Sequence, residues 1–234
     1  MTGISQSIEV FPGCFVAYST RINGSMDTPE QALAWIRACV PDKKEKYLHL
    51  EHGTTVVLDE NQAHELQGDA IISQHIDHAL LFRVADCVPI ALFHPQSHTF
   101  GLIHGGWRSL AGGIMEKTLN QFLRVSKANP QEISVWIGPS LRSCCNVVER
   151  NNPLSTLLEW KSFLRLEKNK KTSVDLQGFC SAQLMQAGVS YANIKDSGLC
   201  TYHNPGFYSY RRFRQEQDPS AHGRIAVGIW MNNT

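Results

Sequence analysis

The segment Leu80 to Arg108, LLFRVADCVPIALFHPQSHTFGLIHGGWR, constrains this 234-residue chain more than any other stretch. Two apolar runs flank the polar turn His94-Pro95-Gln96-Ser97, the pattern of a β-hairpin. With the chain reversing between Pro95 and Gln96, Cys87 and His104 fall equally far from the turn, one on each strand, and face each other. Opposed side chains on antiparallel strands have Cβ atoms about 5 Å apart. A thiolate and an imidazole at that separation can share one zinc, at roughly 2.3 and 2.1 Å. The pair is equally compatible with a structural duty, Cys87 as a small buried hydrophobe and His104 as a hydrogen-bonded histidine at a strand end.

Around this hairpin the patterning predicts a mixture of helices and strands. Thr28-Pro29-Glu30-Gln31 joins a capping residue, a proline at the first helical position and a glutamine that completes a capping box, so a helix should run to about Cys39. Ile114, Met115, Leu119, Phe122 and Leu123 recur at helical spacing, which predicts a helix over Leu110 to Ser126. Further helices are expected over Pro153 to Leu166 and over Asp175 to Ala187, the latter stopped by Gly188. Strands are expected at Thr54–Leu58, Ala70–Ser73, Leu80–Phe93, Thr99–His104, Ile133–Ile137 and Ile225–Met231. The last alternates, with Ile225, Val227, Ile229 and Met231 on one face. Strands and helices do not alternate strictly, so the class is α+β rather than a doubly wound sheet, and residues 1–234 read as one domain.

Charge and cysteine usage narrow the chemistry. Twenty-two basic residues balance twenty-one acidic ones, so no global field draws in nucleic acid or an anionic membrane, and any anion must be recognised locally. The apolar run from Ala79 to Phe93 is interrupted by Arg83 and Asp86 and is too short to span a bilayer. The N-terminal residues lack a basic region followed by an apolar one, which leads to a cytoplasmic expectation. Seven cysteines, odd in number and irregularly spaced, read as reduced thiols available to a metal. His52, just ahead of a predicted strand, offers a third ligand, although its spacing does not single it out among ten histidines.

Six ordered motifs carry a family likeness: Gly68-Asp69-Ala70-Ile71-Ile72, Ala85-Asp86-Cys87-Val88-Pro89, His104-Gly105-Gly106-Trp107-Arg108, Ile137-Gly138-Pro139, Cys200-Thr201-Tyr202 and Ser209-Tyr210-Arg211-Arg212. Together they resemble the bacterial proteins once called polyphenol oxidases or laccase-domain proteins and now regarded as purine nucleoside phosphorylases. The resemblance implies a four-layer α/β/β/α sandwich of two sheets flanked by helices. It also implies a zinc held by His52, Cys87 and His104, with purine nucleosides and phosphate as substrates and adenosine deamination as a companion activity. The chain departs from the resembled pattern at Cys144-Cys145-Asn146-Val147, where Cys-Tyr-Glu-Val is common, a change that bears on the substrate pocket or on oligomer contacts.

Three protein ligands leave zinc one position short of a tetrahedron, and such open sites act as Lewis acids and lower the pKa of bound water to about 7. Phosphorolysis also needs cations for phosphate, for which the forked guanidinium is suited. Arg21, Arg108, Arg211 and Arg212 are the candidates, Arg211 being assigned a catalytic role and Arg21 and Arg108 phosphate binding. Asp86 neighbours Cys87 on a strand and therefore points to the opposite face. Rival readings are a copper-dependent oxidase, a Cys87–His104 hydrolase, a peptidoglycan-precursor editing enzyme and a purely structural metal. A multicopper site needs clustered imidazoles, and the chain has no His-x-His pair. A structural zinc would need a fourth ligand. The oligomeric state is left open.

Overall fold

The computed structural model describes residues 7–60, 63–167 and 170–232. One mixed six-stranded sheet is built from β1 (Ile8–Phe11), β2 (Cys14–Tyr18), β3 (Lys44–His49), β5 (Glu65–Gln67), β7 (His78–Val84) and β15 (Ile225–Met231), in the order β1-β2-β15-β7-β3-β5. The second contains β4 (Val56–Leu58), β6 (Ala70–Ser73), β8 (Val88–His94), β9 (Thr99–Gly105), β10 (Ser134–Ile137) and β14 (Ile194–Asp196), in the order β14-β10-β8-β9-β6-β4. A small third sheet orders β11 (Val147–Glu149), β13 (Lys171–Val174) and β12 (Leu164–Leu166).

The two large sheets pack face to face. Leu80, Phe82, Ile225, Val227, Ile229 and Met231 of the first interlock with Ile71, Ala91, Phe93, Phe100, Leu102 and Trp136 of the second. The alternation read from β15 is therefore observed, and its other face, with Ala226 and Trp230, packs under α1 (Pro29–Cys39). Thr28 Oγ1 accepts the Gln31 N–H and the Gln31 side chain returns to the Thr28 N–H, which fixes where α1 begins. On the far side of the second sheet, Met115, Leu119 and Phe122 of α3 (Ile114–Ser126) and Phe179, Cys180 and Leu184 of α4 (Leu176–Gln186) close the fourth layer. The architecture is α+β with the layers α/β/β/α. No helix of the described residues is long and apolar enough to cross a membrane.

Three local expectations are corrected. The helix over Leu110–Ser126 is two helices, α2 (Trp107–Ala111) and α3, because Gly112-Gly113 separates them and Gly113 takes φ +86, a left-handed conformation suited to glycine. Pro153 to Leu166 forms two 3₁₀ segments and then strand β12. Leu80–Phe93 is two strands in two different sheets: β7 ends at Val84, and after Ala85-Asp86-Cys87 the chain enters β8 of the other sheet.

That crossover is one of three from the first sheet into the second. The chain also passes from β3 to β4 through residues 50–55 and from β5 to β6 through Gly68-Asp69. Strands β5 and β7 both run parallel to β3, so all three crossovers leave the first sheet from the same end. Strand β9 runs antiparallel to β8 and finishes where β8 begins. His52, Cys87 and His104 thus arrive at one end of the seam between the sheets.

Candidate metal centre

Each ligand atom of His52, Cys87 and His104 lies within 4.8 Å of the others, and the two imidazole rings meet edge to face at 4.8 Å between centroids. The route to this arrangement differs from the expected one. The hairpin register pairs Pro89 with His104 and Val88 with Gly105, which leaves Cys87 beyond the last pair. The turn is the cause: Pro95–Ser97 form a 3₁₀ turn and His98 follows at φ +52, which moves the centre of the hairpin one residue along and the strand register by two. Cys87 reaches His104 diagonally, over Gly106. A Cβ built on Gly106 would lie 3.0 Å from His104 Cε1 and 3.5 Å from Cys87 Sγ, so the close approach depends on that glycine.

Asp69 organises the cluster, and no role was drawn for it from sequence although it stands in one of the recognised motifs. Its fully buried carboxylate accepts the His52 N–H at 2.8 Å, the Gly53 N–H at 2.7 Å and His104 Nδ1–H at 2.9 Å. The first two bonds hold His52 in the left-handed conformation, φ +59, that is uncommon outside glycine. The third fixes the His104 tautomer and turns Nε2 toward Cys87. Burial pushes the Asp69 carboxyl up, but the His104 hydrogen bond, the Gly53 N–H and the His104 charge outweigh it and leave the group below its ordinary range.

The thiol and the imidazole hold each other ionised. Burial alone would raise Cys87, yet hydrogen bonds and charge from His104 and then His52 bring it down to about 6. Burial alone would lower His104, yet Asp69 and the Cys87 thiolate raise it to about 9. A metal ion would replace the shared proton: one thiolate and two imidazole nitrogens converge, and Asp69 backs one imidazole from behind, as metal-bound histidines usually require. The donor set therefore fits zinc with one coordination position open.

Two cavities share the wall formed by Ala85, Cys87, Trp107 and Tyr210. One, of about 290 Å³, is mainly apolar and includes Leu141, Val148, Leu154 and Leu176. The other, of about 610 Å³, adds His52, Arg108, His222 and Arg224. Arg224 was missed from sequence because it lies outside every motif, just before β15.

The predicted arginines separate by duty. Arg108 is exposed, stacks over the Trp107 ring at 4.4 Å and faces the larger cavity, which Asp27 also lines. Arg211 lines the apolar cavity, but its guanidinium donates to the carbonyls of Cys145 at 3.2 Å and Val147 at 2.6 Å and to Asn146 Oδ1 at 3.2 Å, which gives it a structural engagement that its catalytic assignment did not include. Arg21 lies over the Tyr208 ring and reaches the Pro205 carbonyl, outside the residues that line either cavity. Arg212 is buried and spent on the carbonyls of Thr201, Tyr202 and Phe207. Asp86, held at φ +81, accepts the Thr201 hydroxyl at 2.6 Å and the Arg211 N–H at 2.7 Å, and it is not part of the ligand cluster.

The fold and the seam site define a two-sheet sandwich with a Cys-His-His cluster that could hold a metal. Residues 27–232 match the family described as multi-copper polyphenol oxidoreductase laccase, and the chain belongs to that family. A protein of Borreliella burgdorferi named purine nucleoside phosphorylase is 33% identical over 190 residues, covering 78% of this chain and 80% of its own length. One of Aquifex aeolicus with the same name is 30% identical over 180 residues, covering 75% and 80%. The fold is shared with the Bacillus licheniformis hypothetical protein YfiH, at TM-score 0.80, 21% identity and coverage of 98% and 97%. It is shared also with YlmD of Geobacillus stearothermophilus, at TM-score 0.76, 22% identity and coverage of 98% and 99%.

Proposed function

We propose that this chain is a zinc-dependent purine nucleoside phosphorylase, acting on adenosine, inosine or guanosine and methylthioadenosine, with adenosine deamination as a second reaction of the same site. The observation that carries the reading is the shared wall: Cys87 lies between an apolar cavity and a larger one lined by His52, Arg108, Arg224 and Asp27, with His104 at ligand distance from both Cys87 and His52. Phosphorolysis needs that juxtaposition, since a flat, largely apolar base and a phosphate must approach one sugar carbon from different sides. Leu141, Val148, Leu154 and the faces of Trp107 and Tyr210 offer the base an apolar slot. Arg108 and Arg224 offer phosphate charge-assisted hydrogen bonds. Zinc held by the three ligands would supply Lewis acidity between the two cavities. Asp69 keeps His104 in the one tautomer and orientation that leaves Nε2 for the metal. The names carried by the relatives support the same reaction.

Incubating the purified protein with adenosine, inosine and methylthioadenosine, with and without phosphate, tests the reading. Free base released only when phosphate is present, and ammonia from adenosine irrespective of phosphate, are the expected results. A zinc-loaded protein that releases no base in phosphate ends the proposal. One specific observation favours a second reading: a thiol lowered to about 6 beside an imidazole raised to about 9 is also a nucleophile–acid pair for a cysteine hydrolase. Elemental analysis separates the two and decides between zinc and copper, which a Cys-His-His set could also hold.

A further inference from the structure

Among the described residues one other group of side chains could hold a metal. Cys144, Cys145, Cys200 and His203 place one ligand atom each within 4.8 Å of the others. The Cys144 and Cys145 sulfurs are 3.6 Å apart, Cys144 Sγ is 3.7 Å from His203 Nδ1, and Cys145 Sγ is 3.3 Å from His203 Nε2. The edges of a tetrahedron around zinc are roughly 3.8 Å between sulfurs and 3.5 Å between sulfur and nitrogen, from bond lengths of about 2.3 and 2.0 Å. Only one ring nitrogen of His203 can bind a given ion; the Cys144–Cys145 sulfur pair and the Cys145 Sγ–His203 Nε2 approach stand near those edges, with Cys200 within 4.8 Å, and the two adjacent sulfurs are far outside the roughly 2.05 Å of a disulfide.

Topology brings these residues together from distant parts of the chain. Strands β10 and β14 are parallel neighbours, and their pairing continues past the strand ends: Ser140 N–H donates to the Leu199 carbonyl and Thr201 N–H to the Ser140 carbonyl. The loops that follow, one with Cys144 and Cys145 and the other with Cys200 and His203, leave the sheet side by side. The surroundings suit a thiolate cluster. Backbone N–H groups of Arg142, His203 and Tyr202 point at the Cys200 sulfur, and the Arg142 and Arg211 guanidinium groups lie close enough to Cys200 and Cys145 to offset negative charge. Cys145 and Cys200 are buried with Leu141, while Cys144 and His203 close the cluster from the solvent side.

We propose that Cys144, Cys145, Cys200 and His203 form a second zinc site, closed by four protein ligands and structural in role. Three thiolates and one imidazole are a usual structural zinc set, and no open position remains for substrate. The site fastens the two loops to each other. Leu141 and Asn146 of the first loop line the apolar cavity, and Arg211 binds the Cys145 and Val147 carbonyls, so the second zinc braces that wall without touching what binds there.

The test uses the full chain produced with zinc in the medium. Zinc per chain is measured for the wild type, His104→Ala, Cys200→Ser and Cys145→Ser, with X-ray absorption at the zinc edge on His104→Ala. The expected result is about two zinc ions in the wild type and about one in each variant, with three sulfurs and one nitrogen around the ion that remains in His104→Ala. Zinc content unchanged by Cys200→Ser, an ion in His104→Ala with fewer than three sulfurs, or an intact mass lower by two hydrogens from a Cys144–Cys145 disulfide would each overturn the site. The absorption measurement decides the matter even where the cysteine variants fail to fold. A wild type with a single zinc, lost in His104→Ala and kept in Cys200→Ser, refutes the second site alone. The reverse pattern refutes the Cys87 centre alone.

Discussion

Replacing Asp69 by asparagine should weaken the Cys87 centre without changing any of its ligands. Asp69 accepts three hydrogen bonds, from His52 N, Gly53 N and His104 Nδ1, and the isosteric amide can face at most part of that set with its oxygen. Its NH₂ group must then meet an N–H, donor against donor. Loss of such a carboxylate behind a metal-bound histidine typically costs 10–100-fold in metal affinity, which is about 1.4–2.7 kcal/mol. The metal-free protein should also lose stability, by about 1–3 kcal/mol for each buried donor left unpaired. Competition against a chromophoric chelator gives the first quantity and urea unfolding of the apoprotein gives the second. A folded Asp69→Asn protein that binds zinc as tightly as the wild type would refute the argument that Asp69 sets the geometry of His52 and His104.

Four further outcomes are expected. Arg108→Ala should raise the KM for phosphate or lower kcat/KM by roughly 10–100-fold, the loss of one charge-assisted hydrogen bond of about 1.5–3 kcal/mol, with unfolding unchanged; Arg211→Ala should instead lower stability measurably, because its guanidinium holds the 145–147 backbone. Gly106→Ala should reduce zinc content although its φ of −70° suits alanine, since the new methyl group presses on His104 and Cys87, and zinc analysis of the folded variant checks it. Asp59 is buried against Lys46 and His78; burial pushes its carboxyl up, but hydrogen bonds from His78 and Ser73 and the charges of His78 and Lys46 leave it below the ordinary range. A depressed carboxyl stabilises the fold above its unfolded pKa of about 3.9 and loses that contribution as pH falls, so Asp59→Asn should cost about 3–5 kcal/mol near neutral pH and flatten the acid limb of stability against pH.

The layers were legible where a single physical rule acts locally. The capping box at Thr28 placed α1 to the residue, and the period-two alternation of β15 named the face that meets the second sheet. Legibility failed where backbone freedom decides. Gly112-Gly113 cut a continuous helical pattern that side-chain spacing alone would extend, and the apolar run over Leu80–Phe93 hid a change of sheet because strands buried on both faces look alike in sequence. Asp69 escaped for a related reason: its importance lies in backbone N–H groups seventeen and sixteen residues away, which no side-chain pattern reports.

The three candidate ligands come together in space, yet the hairpin symmetry that first paired Cys87 with His104 is not what joins them. Strand direction is. Because β5 and β7 run parallel to β3, the three passages into the second sheet begin at the same end, and because β9 is antiparallel to β8, its final residues return to that end. The passages after β3 and β7 turn through a non-glycine residue at positive φ, His52 in one and Asp86 in the other, and the passage after β5 runs through Gly68-Asp69. After β3 the strained residue is itself a candidate ligand, and Asp69 compensates it. After β7 the strained residue is Asp86, whose carboxylate accepts Thr201 Oγ1 and Arg211 N and thereby directs the next residue, Cys87, toward the seam. The wall between the two cavities is therefore a consequence of the chain passing three times between the sheets at one end of the seam, and both aspartates belong to the site although neither is among the three candidate ligands.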